Sequence, residues 1–140
     1  MKILCLDVGD KRVGVALSDP LGITAQGVGS IPAGDDDRLF KRIKEIADGN
    51  NVNEIVVGLP LNMDGSVGPR ARKSIAFSDE LRGRLGIAVK LWDERLTTMQ
   101  AERVLLVADM SRKSRRRNLD KMAAQLILQG YLDTQKSSSA

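Results

Sequence analysis

The chain has 140 residues and a net charge of +4, and 42% of its residues are hydrophobic, the ordinary balance of one globular domain. Because it contains no histidine and only one cysteine, histidine-dependent catalysis, histidine-ligated zinc and an intramolecular disulfide are excluded, and any metal would be a hard ion held by oxygen, Mg²⁺ or Mn²⁺. No apolar run has the length of a signal peptide or a membrane-spanning helix, so we expect a cytoplasmic protein with no membrane partner.

The first half of the chain predicts a β-hairpin followed by alternating strands and helices. A short apolar run ends in Asp7, and a second run of alternating small residues follows the turn at 9–11. Acidic residues at 35–37 suit the N-terminus of a helix, and the turn formers at 49–51 end it. The predicted strands lie at 2–8, 12–17, 22–31 and 54–59, with a helix at about 35–49 between the last two.

The second half predicts helices separated by one further strand. Pro69 is a favourable first helical residue, and Gly86 ends the helix that begins there. The predicted elements are a helix at 69–85, a strand at 87–92, a helix from 97 or 98 to about 108, a basic loop at 111–117, a helix at about 118–133 and a polar, flexible tail at 135–140. This order predicts a single α/β domain over residues 1–134, with a five-stranded mixed sheet, parallel core strands and helices on both faces.

A basic segment at residues 111–117 accounts for the net positive charge. It reads S-R-K-S-R-R-R, five positive charges without an acid, and the rest of the chain would carry a net charge of −1. Such a run can be a solvated surface, but a block this dense is more typical of contact with a polyanion. Because no amphipathic apolar stripe accompanies it, we expect nucleic acid as the partner. The candidate substrate-binding residues here are Arg112, Lys113, Arg115, Arg116 and Arg117.

Three carboxylates occupy positions that favour convergence. Asp7 and Glu94 each close an apolar strand, and Asp120 lies in the first turn of the last predicted helix, beside the small residues Ala123 and Ala124. Ligand sites of open α/β sheets form at the carboxyl ends of strands, and small residues would let that helix approach the sheet. Convergent carboxylates repel each other unless a cation neutralises them. The three are therefore candidate catalytic residues and ligands of two divalent metal ions.

Each of these residues also has a purely structural interpretation. Asp7 can be a turn residue, and Asp120 can be an acid that serves the dipole of its helix. Glu94 can pair with Arg95, a residue that could instead orient Glu94 or contact substrate. Asp93 would face away from Glu94 if the strand continued that far, so only one of them can face the site. The competing acids are Asp10, Asp19 and Asp93.

Other polar residues stand where a phosphate could bind. Lys11 and Arg12 lie at the hairpin turn, although an exposed turn could carry the same residues. Asn62 belongs to a loop that leads to a helix N-terminus, a natural anion site. Arg70 lies in the first turn of that helix, where a cation opposes the helix dipole, and this indicates compensation by an external anion.

Four stretches of the chain resemble the sequence blocks of the bacterial RuvX family, also called YqgF. They are residues 6–19 (LDVGDKRVGVALSD), 58–71 (GLPLNMDGSVGPRA), 92–98 (WDERLTT) and 118–132 (NLDKMAAQLILQGYL). The resemblance implies a ribonuclease-H-like fold with an acidic site at Asp7, Glu94 and Asp120. It also implies maturation of the 5′ end of the pre-16S ribosomal RNA, whereas the older description of the family implies resolution of Holliday junctions in branched DNA.

Two other functions remain open at this point. Residues 7–14 resemble the first phosphate loop of actin-like and sugar-kinase phosphotransferases, but those enzymes need two domains that close on ATP, and no Walker lysine loop occurs here. The other function is a non-catalytic nucleic-acid-binding protein with structural acids. Within the nuclease interpretation, ribosomal RNA or branched DNA and monomer or homodimer stay open, although a dimer would favour a resolvase because a junction needs two symmetric cuts.

The basic segment yields a testable prediction. We expect it to be a mobile loop in the free protein that binds phosphates without sequence specificity. Replacing Arg115, Arg116 and Arg117 by alanine should weaken binding to all sequences about equally and flatten the salt dependence of log affinity by roughly one unit per lost phosphate contact. Because the segment precedes Asp120, the triple variant should also lose single-turnover rate at saturating substrate. An unchanged salt slope would make the segment a solubilising surface only.

Overall fold

A mixed sheet of five strands organises the part of the chain that this computed structural model describes, residues 2–96 and 112–139. Its strands are β1 (Lys2–Val8), β2 (Arg12–Ser18), β3 (Ala25–Pro32), β4 (Val52–Leu59) and β5 (Ala88–Asp93). The helices of the described part are α1 (Asp36–Gly49), α2 (Pro69–Leu85) and α3 (Arg112–Ser139), and a short 3₁₀ turn follows β5 at Glu94–Leu96. The predicted α/β class with a five-stranded mixed sheet is confirmed.

The sheet has the strand order β3-β2-β1-β4-β5. Strands β1, β2 and β3 pair antiparallel in succession, whereas β1, β4 and β5 pair parallel, as the predicted hairpin and crossovers require. The hairpin turn is closed by a hydrogen bond from the Gly9 amide to the Arg12 carbonyl, and a Cβ at residue 9 would lie 2.7 Å from that oxygen. Strands β1, β4 and β5 all end at one edge of the sheet, which we call the carboxyl edge.

Each face of the sheet has its own hydrophobic core. Helices α1 and α2 cover one face, where Leu4 and Leu6 of β1 pack against Ile43 and Leu81. Helix α3 covers the other face, where the Cys5 side chain joins a cluster with α3. The alternation along β1 thus sends neighbouring residues to opposite cores. The α3 cluster consists of Cys5, Ala16, Ala25, Val56, Trp92, Ala124, Ile127, Leu128, Tyr131 and Leu132.

Helix α3 runs antiparallel to β3 and lies very close to it. Gln129 Oε1 accepts a hydrogen bond from the Ala25 amide at 2.9 Å, and Gln125 Nε2 donates to the Ala25 carbonyl at 3.2 Å. One turn earlier in the helix, a Cβ at Gly27 would lie only 2.9 Å from the Lys121 carbonyl oxygen, so the helix fits because residue 27 has no side chain. The N-terminal turns of α3 therefore lie toward the carboxyl edge.

Helix α3 is longer than the spacing of its apolar residues predicts. The prediction of a loop at 111–117 is wrong for residues 112–117, whose backbone is helical. Arginine and lysine have high helix propensity, and neither glycine nor proline interrupts residues 112–129. The helix also continues to Ser139, through most of the predicted tail. The helix predicted from 97 or 98 to about 108 lies outside the described residues.

The described helices lack the combination of length and apolar composition that a bilayer span requires. Helix α3 is the longest of them at 28 residues, but it begins with the basic segment and ends in a polar stretch. Its apolar residues instead face the sheet.

Strand β3 begins three residues later than predicted, at Ala25 instead of Gly22. The Asp19 carboxylate accepts hydrogen bonds from the amides of Ile23 at 2.7 Å and Thr24 at 3.0 Å. Gly22 has a positive φ of 70°, which suits a glycine. These residues therefore form a turn, because the aspartate side chain satisfies backbone groups that a strand would otherwise pair.

A polar network fixes α3 to the amino-terminal half of β4. The Tyr131 hydroxyl donates to Glu54 Oε1 at 2.7 Å, and Lys90 Nζ lies 3.0 Å from the same oxygen. Tyr131 also contacts Trp92 edge to face, with ring centroids 5.5 Å apart. Burial, followed by the hydrogen bond to Glu54, raises the pKa of the Tyr131 hydroxyl.

We predict that Tyr131→Phe weakens this attachment and changes the alkaline stability of the protein. The loss of one buried hydrogen bond should lower the free energy of unfolding by about 1 kcal/mol at neutral pH. Because the folded-state pKa of Tyr131 is raised, its contribution is complete below its ordinary pKa and is lost as the pH rises through the raised value. Urea denaturation between neutral and alkaline pH should therefore show a shallower decline for the variant.

Thr134→Ala is the matched control, because it removes an exposed α3 hydroxyl that donates to the Gly130 carbonyl of its own helix. It should leave the alkaline decline unchanged. An equal decline in Tyr131→Phe and the wild type would contradict the prediction.

Candidate active site

Asp7 lies near the end of β1, on the sheet face that α3 covers. It is half-buried and pairs in register with the buried Gly14 of β2. On its other side, the pairing of Leu6 with Val57 brings the next residue of β4, Gly58, to the level of Asp7. Glycines therefore flank the aspartate on both neighbouring strands.

Glu94 lies over one of these glycines. Strand β5 ends at Asp93, so Glu94 opens the 3₁₀ turn and its side chain returns across the sheet. Its Oε2 atom lies 3.1 Å from the position that a Cβ of Gly58 would occupy, and Ile127 Cδ1 of α3 lies 2.8 Å from the same position. Because residue 58 has no side chain, the Glu94 carboxylate and the apolar tip of Ile127 both fit against its backbone. We call this site the Gly58 cradle.

The negative charges of Asp7 and Glu94 both affect the pKa of the buried Cys5 thiol. Its pKa is raised well above the ordinary value, chiefly by burial and then by the negative charges of Asp7 and Glu94. Both carboxylates are therefore close enough to Cys5, on the sheet face that α3 covers, to raise its pKa. A high pKa keeps the thiol protonated, so Cys5 is an inert core residue.

Asp120 belongs to α3, and its side chain lies outside the described part of the structure. Along the helix it stands seven residues before Ile127, which contacts the Gly58 cradle. Two turns of helix return to the same side, and the N-terminal turns of α3 lie toward the carboxyl edge. The contribution of Asp120 to the site stays a prediction.

The donor set suits a hard divalent cation. In the described ranges, 2–96 and 112–139, no group of three or more acidic, cysteine or histidine side chains forms a ready metal site. Asp7 and Glu94 nevertheless offer half-buried carboxylate oxygens on one face of the sheet, with Glu94 held over Gly58. Oxygen ligands of this kind fit Mg²⁺ or Mn²⁺, whose charge would offset the repulsion between the two carboxylates.

The competing acids have structural contacts. Asp10 pairs with Lys73 of α2, whose Nζ also donates to the Gly9 carbonyl at 3.2 Å and so ties the hairpin turn to α2. Asp19 holds the turn before β3. In the sequence, the one signal that could have identified Lys73 is its position one turn after Arg70 on the same helix.

Arg95 binds the acid on the other side of Glu94. Its Nη2 atom lies 2.8 Å from Asp93 Oδ2, Nε lies 3.1 Å from Oδ1, and Nη1 donates to the Met63 carbonyl at 3.3 Å. The hydrogen bonds with Arg95 lower the pKa of Asp93, and those with Asp93 raise the pKa of Arg95. Asp93 therefore contacts Arg95, whereas the Glu94 carboxylate lies over Gly58. Strand β5 ends at Asp93, however, so this divergence does not arise from a strand that continues to Glu94.

The loop between β4 and α2 is held by its own side chains. Asn62 Nδ2 donates to Ser66 Oγ at 2.9 Å, and the Asn62 side chain lies against Gly68. The Ser66 hydroxyl and amide both donate to Asp64, and these hydrogen bonds lower the pKa of that carboxyl. Asn62 therefore has an internal role in the loop, and its contact with substrate stays a prediction.

Exposed cations lie around the carboxyl edge. Lys11 and Arg12 stand at the hairpin turn, and Arg70 lies in the first turn of α2. The backbone of residues 112–117 forms the first turns of α3. The first turns of α2 and α3 contain basic residues and no acidic residue. Both helices therefore place positive charge at the positive end of their dipoles. That arrangement favours an external polyanion.

Comparison with known proteins identifies close relatives. The model of the RuvX family, described as Holliday junction resolvase, matches residues 1–134. A protein of Pelotomaculum thermopropionicum is 54% identical over 96% of this chain and 88% of its own length. One of Listeria monocytogenes is 53% identical over 96% of this chain and 99% of its own length. Both relatives are named "Putative pre-16S rRNA nuclease".

Solved structures with low sequence identity share the fold. Thermus thermophilus RuvC, in complex with a Holliday junction substrate, gives a TM-score of 0.67 at 10% identity and covers 100% of this chain and 98% of that chain. The fowlpox virus Holliday junction resolvase gives a TM-score of 0.54 at 12% identity, covering 96% of this chain and 99% of that chain. The ribonuclease-H-like architecture predicted from the sequence blocks is thereby confirmed.

The fold is of the ribonuclease-H-like class, and the relatives of the chain are named nucleases. The chain belongs to the RuvX family, as the family match and the relatives above half identity establish. The phosphotransferase alternative is therefore wrong, because its resemblance rested on one glycine-containing hairpin turn. A non-catalytic role has no support among these relatives, which are named nucleases.

We predict that Gly58→Ala disables the site by displacing Glu94. A Cβ at residue 58 would meet Ile127 at 2.8 Å and the Glu94 carboxylate at 3.1 Å, so at least one of them must move. A displacement of about 1 Å at a catalytic group can lower a rate roughly 100-fold, and overpacking should cost about 1–3 kcal/mol of stability. Cleavage rates and urea denaturation would measure both effects.

Gly83→Ala is the matched control. Gly83 lies in α2, and no heavy atom outside its own helix backbone lies within 4 Å of its Cβ position. The added methyl should raise stability by about 0.5–1 kcal/mol and leave cleavage unchanged. A Gly58→Ala variant with the wild-type cleavage rate would refute the role of the cradle.

Proposed function

We propose that this nuclease is a metal-dependent ribonuclease that hydrolyses phosphodiester bonds of the pre-16S ribosomal RNA during maturation of its 5′ end. The observation that carries the metal-dependent part is the Gly58 cradle, in which the Glu94 carboxylate lies on the same sheet face as Asp7. Asp7, Glu94 and Asp120 are the proposed catalytic residues and metal ligands. The ribosomal substrate is supported by the names of the relatives.

The proposed roles follow from charge. Bound Mg²⁺ or Mn²⁺ supplies electrostatic stabilisation of the scissile phosphate and an activated water at neutral pH. Asp7 and Glu94 would hold this ion at the carboxyl edge. Because both carboxylates are half-buried, water would screen their attraction for the ion less than at an exposed site. In the absence of histidine, these carboxylates are also the groups able to accept a proton near the reacting water.

The proposed substrate surface is the ring of cations around this edge. Phosphates bind well at helix N-termini. Attraction to a bound phosphate would offset the unfavourable interaction between basic residues and the helix dipole at these positions. Cations on the hairpin turn, on α2 and in the first turns of α3 would track the sugar-phosphate backbone and position it over the carboxylates. The proposed substrate-binding residues are Lys11, Arg12, Asn62, Arg70, Arg112, Lys113, Arg115, Arg116 and Arg117.

A second candidate function is resolution of Holliday junctions. The description of the family model favours it. Purified protein should be assayed with Mg²⁺ on a pre-16S leader transcript and on a four-way DNA junction. Preferential cleavage of the transcript, together with 5′-extended 16S ribosomal RNA in depleted cells, supports the first proposal. Paired symmetric cuts in the junction by a dimer would support the second.

We predict that Asp7→Asn abolishes metal-dependent cleavage and leaves the fold intact. The amide keeps the shape of the side chain but loses the charge that attracts the cation. Because repulsion between carboxylates is relieved, the metal-free variant should be as stable as the wild type or more stable. Full cleavage activity in this variant would refute the mechanism.

Asp10→Asn is the control for this substitution. Asp10 lies three residues away, is exposed and pairs with Lys73, so its replacement removes the same charge from the same hairpin without touching the proposed site. Cleavage should stay close to that of the wild type. The pair of variants thus separates loss of the site from a general loss of charge near the turn.

A further inference from the structure

We infer that Asp93 and Arg95 are positioning residues, which lock the 3₁₀ turn that carries Glu94 and attach it to the loop after β4. This inference deepens the proposed function, on which it rests, and it changes the part assigned to Arg95. The sequence leaves Arg95 as a possible substrate contact. The geometry points to a residue whose guanidinium acts inside the protein.

The two residues that flank Glu94 are bonded to each other. The Asp93 Oδ1 atom accepts a hydrogen bond from the Arg95 backbone amide at 2.9 Å, a contact that caps the turn. The Arg95 guanidinium then folds back onto both oxygens of the same carboxylate, at 3.1 Å and 2.8 Å. This two-point ion pair is one-third exposed at Arg95 and less at Asp93. The backbone of Glu94 is therefore held from both sides.

Arg95 also attaches this turn to the neighbouring strand connection. Its Nη1 atom donates to the Met63 carbonyl at 3.3 Å and lies 3.3 Å from the position that a Cβ of Gly65 would occupy. Gly65 has a positive φ of 88°, which favours glycine, and its bare backbone lets the guanidinium approach. The guanidinium thus spans the loops that follow β4 and β5, on either side of the Gly58–Glu94 contact.

The hydrogen bonds of the guanidinium explain why positioning is the better assignment. Three of its five N–H groups face protein oxygens, in the bidentate geometry that is specific to arginine. A phosphate could reach Arg95 in this conformation only through the remaining N–H groups. Arg70 differs, because it is exposed in the first turn of α2 and no described contact occupies its guanidinium.

The consequence for the site is a fixed direction for one carboxylate. Glu94 opens a turn of only three residues, and a turn this short has little stability of its own. Without the Asp93–Arg95 pair, the Glu94 side chain would leave the Gly58 cradle for part of the time, and the affinity for a divalent ion would fall with the occupied fraction. Loss of such supporting contacts typically costs 10- to 100-fold in metal affinity or activity.

The experiment measures metal binding separately from cleavage. Trp92 is the only tryptophan, precedes Asp93 and pairs with Gly58, so quenching of its fluorescence by Mn²⁺ reports on ion binding at this edge. Arg95→Ala, Asp93→Asn and the double variant would be compared with the wild type. Single-turnover cleavage at saturating RNA and the salt dependence of RNA affinity complete the measurements, and thermal melts verify that each variant is folded.

If the inference holds, both single variants weaken Mn²⁺ binding about 10-fold or more and lower the saturated cleavage rate. The double variant is then no worse than the singles, because either substitution breaks the same pair. The salt slope of RNA affinity stays at the wild-type value. Arg95→Lys, which keeps the charge but cannot span Asp93 and Met63 together, restores only part of the loss.

A substrate contact would give the opposite pattern. Arg95→Ala would then flatten the salt slope by about one unit, and Asp93→Asn would release the guanidinium and strengthen RNA binding. Unchanged Mn²⁺ affinity and unchanged saturated rate in the folded variants overturn the inference. Arg70→Ala is the control, with weaker RNA binding and wild-type Mn²⁺ affinity expected.

The proposed function can fail independently of this inference. A wild-type protein that binds Mn²⁺ but cleaves no nucleic acid refutes the function, and the Mn²⁺ affinities of the variants still decide the role of the pair. A wild-type protein that cleaves RNA while its Asp93→Asn and Arg95→Ala variants match it in both readouts retains the function and overturns the positioning role.

Discussion

The close packing of α3 on the sheet is the constraint on which the site depends. The helix reaches the strands because two strand residues have no side chain. Gly27 accommodates the helix backbone at Lys121, and Gly58 accommodates both Ile127 and the Glu94 carboxylate. The completely buried Ala124 contributes to the same close approach from the helix side. The buried apolar face of α3 supplies the free energy that holds this arrangement, at about 25 cal/mol for each Å² of apolar surface removed from water.

At the carboxyl edge, Asp7 and Glu94 are more buried than the basic side chains of the hairpin turn and of α2. Half-buried carboxylates lie inside the carboxyl edge, exposed cations lie on the hairpin turn and at the start of α2, and the first turns of α3 carry further basic residues. Each cation at a helix N-terminus costs a few tenths of a kcal/mol to about 1 kcal/mol against the dipole. The free protein therefore carries unfavourable charge interactions of both signs at this edge. A bound polyanion and a bound divalent cation would relieve them together.

Much of the fold could be predicted from the sequence because short apolar strands, glycine turns and helical spacing are local signals. The hairpin, the parallel core strands and the limits of α2 follow from such patterns. The start of α3 could not be predicted in this way, because a run of arginines satisfies both the pattern of a basic loop and the propensity of a helix. The delayed start of β3 depends on a side chain, Asp19, that binds backbone amides four and five residues away.

The candidate site was predictable to a different degree. Asp7 and Glu94 could be selected because they stand at strand ends, and the ends of parallel strands meet at one edge. The contacts that position them could not be predicted. Some of these contacts join residues that are distant in sequence, and others involve one of two chemically equivalent acidic partners. Nothing in the sequence says that Arg95 pairs with Asp93 and the Met63 carbonyl. Lys73 likewise reaches the hairpin turn more than sixty residues away.

The Gly58 cradle has a consequence for the order in which the protein becomes active during synthesis. Asp7 belongs to the first strand, whereas Ile127, which closes the cradle, belongs to the last described helix, about 120 residues later along the chain. A chain emerging from the ribosome can pair β1 with β2 early, but it cannot cover the face that carries Asp7 until most of α3 has been made. With the proposed role of Asp7, cleavage activity would therefore arise only after most of α3 has been synthesised.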